Sequence, residues 1–488
     1  YRLYRHALGA TDDPLIYEEK DEHYDIDVGM SRSREWLIQT RSSHTTSEVA
    51  VLPANAPTAE WRVIAPRVHG REYYLDHRGD RFWIRVNDKG KNYRLVTAPV
   101  TTPDAAHWTE IIPHRPDVMI SEVSCFKDHV VLTERIHGLP QLVILDPATH
   151  ATRQAAFDEV AYTAGPGRNE EFDTPTFRYN YQSFLTPPSV YDLDLQSLKS
   201  TLLKRIEVLG GWDPSRYAME RLTATAKDGV KIPITILYKK GTPRDGTAPC
   251  LLYGYGSYGI PQNVTFSPNR FSLVDRGMVY ALAHIRGGGE YGETWHEAGR
   301  MKNKMNTFTD FIACGEELIR QKIARKDGLV IQGGSAGGLL MGACMNLRPD
   351  LFKGVLAQVP FVDVMNTMLD ESLPLTVGEF EEWGNPKIAE QYKWMRAYSP
   401  YDNIRPTRYP SMLVRTSLND SQVSYWEPAK FVARLRATKT DSHPLLFKCN
   451  MGAGHGGASG RYDALHDLAF DYAWVLGTVG IAAKAPAP

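Results

Sequence analysis

The sequence predicts an all-β propeller followed by an α/β domain, and three observations carry that prediction. Residues 1 to about 210 read as short strands rich in Val, Ile, Tyr, Phe and Thr, broken by turn clusters such as His77-Arg78-Gly79-Asp80 and Asp88-Lys89-Gly90. Within that half, similar runs recur around Tyr4, Glu48, Tyr93, Leu142 and Tyr191, at intervals of 44, 45, 49 and 49 residues. After Trp212-Asp213-Pro214 the rhythm changes, and strand-like runs alternate with helix-length segments. That alternation calls for a mostly parallel sheet covered on both faces.

A repeat of roughly 40–50 residues carrying about four strands has the spacing of a propeller blade. A second set of runs precedes several of the first: Trp36-Leu-Ile, Phe82-Trp-Ile, Val130-Val-Leu and Tyr181-Gln-Ser-Phe. The bland competitor is an irregular β-sandwich. The stretch opens inside a strand-like run, so about five blades are expected over residues 1–210, and the propeller is expected to be incomplete in this chain. Residues 211–488 are expected to form one large domain. Its strands are placed at Pro249–Tyr253, Val279–His284, Gly328–Gln332, Gly354–Val359, Met412–Thr416 and Leu445–Cys449, and its helices at Met305–Ala324, Leu339–Leu347, Glu427–Ala437 and Ala464–Leu476. The Ala/Pro tail at 481–488 is expected to fray.

Composition excludes several function classes. Of 488 residues, 23% are charged and 42% hydrophobic, which rules out a disordered or fibrous chain. Lys+Arg number 56 against 57 Asp+Glu, so no bulk positive field draws nucleic acid or a membrane surface. No apolar run reaches the roughly 20 residues of a membrane span. The five cysteines at 125, 250, 314, 344 and 449 form no CxxC pair. They argue against a zinc cluster or a disulfide framework and fit a reducing compartment, so the expected location is cytoplasmic. The chain starts at Tyr1 with no basic-then-apolar leader. No HExxH, EF-hand or P-loop occurs, so neither metal nor cofactor is expected.

The most specific signal is Gly333-Gly334-Ser335-Ala336-Gly337-Gly338, which follows the apolar run Leu329-Val330-Ile331 and precedes a helical stretch. Strand, sharp turn and helix around G-x-S-x-G make a nucleophile elbow, the hallmark of an α/β-hydrolase domain. The glycines matter because the serine sits in a strained turn with close neighbours. A serine hydroxyl needs a base and an orienting acid, and in this fold they follow in the order Ser, acid, His. His455, in the loop Met451-Gly-Ala-Gly-His-Gly-Gly457, follows a strand end; His443 precedes its strand and His466 falls in a helix pattern. Asp420 follows the strand Met412–Thr416; Asp363 is its rival, and a helix N-cap is its ordinary alternative role. The run Leu252-Tyr-Gly-Tyr-Gly-Ser-Tyr-Gly259 spells a dinucleotide fingerprint, but Ile260-Pro-Gln-Asn-Val-Thr-Phe266 starts no helix to hold a pyrophosphate. The better reading is a loop that helps to build an oxyanion hole. The acidic run Gly378-Glu-Phe-Glu-Glu-Trp383 reads either as a solvated face or as a holder of a cationic substrate side chain.

Taken together these motifs resemble the prolyl oligopeptidase family of serine peptidases, and within it the oligopeptidase B branch. The carrying segments also include His284-Ile-Arg-Gly-Gly-Gly-Glu-Tyr-Gly292, Gln358-Val-Pro-Phe-Val-Asp363, Glu382-Trp-Gly-Asn-Pro386, Tyr425-Trp-Glu-Pro-Ala-Lys430 and Gly454-His-Gly-Gly457. The resemblance covers essentially the whole chain. It implies a seven-bladed propeller capping an α/β-hydrolase domain, and hydrolysis of short peptides after Arg or Lys. It implies Ser335 as nucleophile, Asp420 as orienting acid and His455 as base. Tyr255 and the N–H of Ala336 would form the oxyanion hole. Glu379 would hold the basic P1 side chain, with Glu381 as a nearby acidic partner. Short basic peptides are thus the expected partners. Where bacterial relatives carry two Asp residues for a basic P2 side chain, this chain has Asn263 and Thr265, so a dibasic preference is not expected. Relative to seven blades, about two and the N-terminal segment are absent from this sequence. Two other readings stay open: cleavage after proline, and an inactive propeller scaffold that binds peptides.

Overall fold

The computed structural model describes residues 1–481; the fraying expected of the Ala/Pro tail falls on 482–488, outside the described residues. The β half builds four antiparallel sheets of four strands each, running from Asp25–Met30 to Arg62–Val63, from Tyr73–Arg78 to Thr109–Ile112, from Val118–Cys125 to Thr152–Gln154, and from Thr163–Pro166 to Ser200–Arg205. A two-stranded pair, Arg2–Tyr4 with Leu15–Glu18, precedes them. The sequence repeat maps onto strand order. Glu48, Leu142 and Tyr191 lie on the third strand of their sheets and Tyr93 immediately before one, while Trp36, Phe82, Val130 and Tyr181 lie on second strands. Tyr4, the first member of the repeat, lies on Arg2–Tyr4 in the two-stranded pair.

Alternation along each strand sends side chains to both faces, and successive sheets pack face to face. One apolar layer joins the first and second sheets through Val49, Val51, Phe82, Ile84 and Val96. Leu95, Ile120, Leu132 and Leu145 join the second to the third. Val131, Ile144, Phe177 and Leu193 join the third to the fourth.

The α/β half is one eight-stranded sheet. Its strands are β1 Tyr217–Thr225, β2 Lys231–Lys239, β3 Cys250–Tyr253, β4 Val279–Ala283, β5 Leu329–Gly334, β6 Gly354–Gln358, β7 Ser411–Ser417 and β8 Leu445–Asn450. Their spatial order is β1-β2-β4-β3-β5-β6-β7-β8. β1 and β2 pair antiparallel, as do β2 and β4; every pair from β4 onward is parallel. The helices that matter for the site are α1 Met305–Arg320, α2 Ala336–Leu347, α3 Val364–Leu369, α4 Thr376–Trp383, α5 Trp426–Thr438 and α6 Arg461–Thr478. Two apolar layers sandwich the sheet, with Phe308, Phe311, Leu339 and Met341 on one face and Leu273, Val274, Leu356 and Val475 on the other. All five cysteines stand free, four of them buried. Among the described residues no helix is long and apolar enough to cross a membrane.

The two halves meet along the strand ends of the α/β sheet. Asn92 accepts a bond from the Glu293 N–H at 3.0 Å, and Thr163 donates to the Val264 carbonyl at 3.1 Å. Gln182 accepts from the Phe266 N–H at 3.0 Å, and Arg135 donates to Asn263 at 3.0 Å. The propeller thus sits over the loops where the functional side chains gather.

Candidate active site

Ser335 stands between β5 and α2 with φ 58° and ψ −120°, a conformation that L residues rarely adopt. Its neighbours explain how the turn survives. A Cβ on Gly333 would lie 2.3 Å from the Gly337 carbonyl oxygen, and one on Gly338 would lie 2.4 Å from Pro360 Cα. Gly337 approaches the Gly254 carbonyl so closely that a Cβ there would come within 2.9 Å. The elbow therefore packs directly against the loop that bears Tyr255. The Ser335 N–H donates to Gln358 at 2.9 Å, which ties the turn to the end of β6.

His455 and Asp420 come together as the sequence reading expects. The His455 Nδ1–H donates to Asp420 Oδ2 at 2.7 Å. Asp420 Oδ1 accepts the N–H groups of Gln422 and Val423, both at 2.9 Å. Burial pushes this carboxyl up, but the His455 bond and those two N–H groups outweigh it and hold it below the usual carboxylate range. The bond at Nδ1 leaves Nε2 as the free nitrogen. Among the described residues the Ser335 hydroxyl makes no hydrogen bond. Such contacts tighten when substrate is bound. The rivals are occupied elsewhere: Asp363 is paired with Lys430 and with Asn366, His443 donates to the Tyr409 carbonyl, and His466 is exposed on α6.

A cavity of about 260 Å³ opens beside Ser335 and Ala336, walled by Tyr255, Tyr258, Phe361, Trp383 and Glu379. Trp383 packs edge-on to Tyr258 at 5.6 Å and against Phe361 at 5.4 Å. Glu379, on α4, is half-buried in this aromatic wall. Its Oε2 accepts from the Tyr258 hydroxyl at 2.7 Å and from Trp383 Nε1–H at 2.6 Å. No donor among the described residues reaches its Oε1. Burial pushes the carboxyl up, with the Glu382 charge adding to it, and its two neutral donors and the field of His44 do not offset this. The Tyr255 phenol is pushed up by burial and by the Glu379 charge, so it stays protonated and able to donate. The Ala336 N–H is the first of α2 and belongs to the turn that has no partner within the helix.

The descriptions of two family models fit consecutive parts of the chain: "Prolyl oligopeptidase, N-terminal beta-propeller domain" over residues 1–205, and "Prolyl oligopeptidase family" over residues 264–482. Dipeptidyl aminopeptidase BI of Pseudoxanthomonas mexicana is 44% identical over 487 residues, 99% of this chain and 67% of that protein. The chain belongs to the prolyl oligopeptidase family. Protease 2 of Moraxella lacunata is a further relative, 40% identical over 99% of this chain and 70% of its own length. Among solved structures, oligopeptidase B from Trypanosoma brucei with covalently bound antipain, in a closed form, superposes with a TM-score of 0.95 at 38% identity, covering 99% of this chain and 70% of that one. This prolyl oligopeptidase family member is accordingly a propeller joined to an α/β-hydrolase domain, and a serine peptidase.

Not every residue that the motifs pointed to reaches the cavity. Glu381 lies two positions beyond Glu379, about 200° around the helix. It lines a separate cleft of about 470 Å³ between α4 and the propeller, with Thr45, His69 and Arg300. Asn263 accepts from Arg135 of the propeller, and Thr265 offers its carbonyl to Arg270 at 2.8 Å. Other side chains carry the site without having been singled out. Glu382, buried at 1% exposure, accepts from the Tyr258 N–H at 3.0 Å and from His296 at 2.7 Å. Beneath them Lys304 donates to the Gly256 carbonyl and to Ser257, both at 2.7 Å, and lies 4.6 Å from the Trp383 ring. Glu427, at the far wall of the cavity, is pushed up to about 7 by burial, although Thr367 and the Asp363 N–H bond to it. Glu382 and Glu427 sit in quoted motifs and Lys304 in none, and nothing in a linear sequence tells a buried ion pair from a surface one.

Proposed function

We propose that this chain hydrolyses short peptides on the carboxyl side of Arg or Lys through an acyl-enzyme, in a cytoplasmic setting where its five thiols stay free. One observation carries the reading: a half-buried carboxylate, Glu379, with one oxygen unoccupied in an aromatic-walled cavity beside Ser335. A guanidinium or ammonium entering that cavity would supply the missing charged donor while its stem packs on Tyr258 and Trp383. The division of labour follows the propeller part up to about residue 210 and the hydrolase part beyond it.

In this mechanism Ser335 Oγ attacks the scissile carbonyl as His455 Nε2 takes its proton. Asp420 steadies the resulting imidazolium. The tetrahedral oxyanion accepts from Tyr255 and from the Ala336 N–H. His455 then returns the proton to the departing amine, leaving an ester on Ser335. Water, activated by the same imidazole, releases the acid.

The test is labelling with an active-site phosphonate, followed by a benzoyl-Arg amide beside a Gly-Pro amide. Labelling at Ser335 with turnover of the Arg amide supports the reading. Preference for the Gly-Pro amide would replace it with cleavage after proline, against which the Glu379 carboxylate weighs. Failure to label would favour a peptide-binding scaffold. The 44% identity to a dipeptidyl aminopeptidase supports a second reading, release of dipeptides from a free amino terminus. Acetylating the amino terminus of a peptide substrate separates the two: it abolishes dipeptide release and leaves endopeptidase cleavage intact.

A further inference from the structure

Two propeller residues touch the two elements that build the Glu379 site. The β-hairpin turn at 43–46 projects from the first four-stranded sheet, closed by a Ser43 N–H bond to the Thr46 carbonyl at 2.9 Å. Its Thr45 hydroxyl donates to Glu381 Oε1, on α4, at 2.9 Å. Its His44 ring stacks on Tyr258 with centroids 5.8 Å apart and planes 29° from parallel. Tyr258 is the residue whose hydroxyl fixes Glu379 Oε2. Glu381 has no part in the Ser335 cavity. Its Oε2 is buried and unpartnered, so Thr45 is its only side-chain hydrogen bond among the described residues. On the inner side, Arg300 holds the Glu381 carbonyl at 2.7 Å. Helix α4 has only two turns, too short to be stable without tertiary support. Its orientation therefore depends on what grips it from outside.

We propose that Thr45 and Glu381 form an interdomain latch that positions α4, so that docking of the propeller sets the geometry of the Glu379 cavity, with Glu381 acting on specificity through this contact rather than by touching substrate. The inference rests on the reading of Glu379 as the holder of the basic side chain. In the undocked state α4 keeps its Glu382 and Arg300 anchors but loses the Thr45 contact, and Tyr258 loses the His44 ring stacked on it. Glu379 is then free to drift from the reacting serine while the elbow, held by β5 and β6, stays formed. Thr45 and Glu381 are positioning residues, and the effect falls on binding of the basic side chain rather than on the chemistry.

The discriminating variants separate hydrogen bonding from charge. Glu381→Gln keeps an acceptor for Thr45 and deletes the charge; Glu381→Ala and Thr45→Val each break the bond. Thr45→Val and Glu381→Ala are expected to raise KM for a benzoyl-Arg amide about 3- to 10-fold, the worth of one such bond. Turnover of a small neutral ester should be unchanged, and Glu381→Gln and Thr45→Ser should behave as wild type. The double variant Thr45→Val/Glu381→Ala should be no worse than Glu381→Ala alone. Backbone amides of α4 should exchange hydrogen faster in Thr45→Val, a readout that does not depend on what Glu379 binds. The latch is overturned if Glu381→Gln is as damaging as Glu381→Ala while Thr45→Val is silent, because Glu381 then serves by its charge. Multiplying effects in the double variant, or unchanged α4 exchange, would overturn it equally. If Glu379→Gln leaves the Arg preference intact, the reading of the cavity fails, and the exchange measurement still decides the latch by itself.

Discussion

At the residue scale the proposal turns on Ser335 and Glu379. Ser335→Ala should remove almost all turnover and leave substrate binding, with a residual of roughly 10³–10⁴-fold over water from binding and the oxyanion donors. Wild-type turnover in a clean Ser335→Ala preparation would end the assignment. Glu379→Gln preserves size, and its remaining oxygen still accepts from Tyr258 and Trp383. What it loses is the charge-assisted bond to a cationic side chain, worth about 1.5–3 kcal/mol, or about 10- to 150-fold in kcat/KM. The loss should fall on Arg and Lys substrates and spare labelling of Ser335 by a small neutral inhibitor. Equal losses on both would make Glu379 a structural residue. Both Asp420 and Asp363 follow strands of the parallel sheet and both lie between Ser335 and His455 in the chain; what favours Asp420 is its place at the strand end just before the His-bearing unit, and it is the carboxylate that His455 meets. Asp363 is spent on Lys430.

At the element scale, legibility followed periodicity and glycine. The parallel strands are continuous apolar runs, and each was readable to within one or two residues of its observed bounds. The elbow is readable because three of its four glycines, Gly333, Gly337 and Gly338, are forced by contacts under 3 Å rather than by flexibility alone. β1 is hard to read because its mixed polar pattern, Tyr217–Thr225, carries no apolar run, whereas β2 does carry one in Ile232-Pro-Ile-Thr-Ile-Leu-Tyr238. α4 read as a charge cluster because Gly378 and three glutamates hide a helix whose partners are all distant in sequence. Those partners include the buried Glu382–His296 pair, and here pH gives a test. Burial pushes the His296 imidazole down, but its bonds to Glu293 and Glu382 outweigh burial and raise it to about 9. Its ordinary value is about 6.5. A base whose folded pKa is raised contributes stability that is full below about 6.5 and is lost as pH rises through about 9. Lys304, pushed down to about 8 by burial, works in the opposite sense above that pH. The difference between wild type and His296→Gln isolates the imidazole. The deficit in Tm of the variant should be largest below pH 6.5 and shrink steadily toward pH 9. A deficit independent of pH would mean that His296 serves by packing alone.

At the scale of the whole molecule, the propeller does more than cover the hydrolase: it brings charged side chains to the boundary between the two domains. Arg135, on the third four-stranded sheet, reaches across the domain boundary to Asn263. A cavity of about 810 Å³ opens there, lined by Arg135 and Lys204 and by no carboxylate side chain. Among the described residues Arg135 has no ion-pair partner within 4 Å, and burial lowers its hold on its proton despite the field of Glu290. We take Asn263 as the wall beside the P2 side chain, as the resemblance implies. A basic P2 residue would then meet a like charge instead of a carboxylate. At about 6 Å and an effective dielectric of about 40, that repulsion is about 1.4 kcal/mol, or roughly tenfold. Gly-Arg substrates should therefore be cut at least as well as Arg-Arg substrates. Arg135→Gln should raise kcat/KM for Arg-Arg up to about tenfold while leaving Gly-Arg unchanged, and added salt should shrink the gap in wild type, because screened charges repel less. A strong wild-type preference for Arg-Arg would show that carboxylates elsewhere take the P2 side chain. A rise on both substrates alike would make Arg135 a general brake on domain closure.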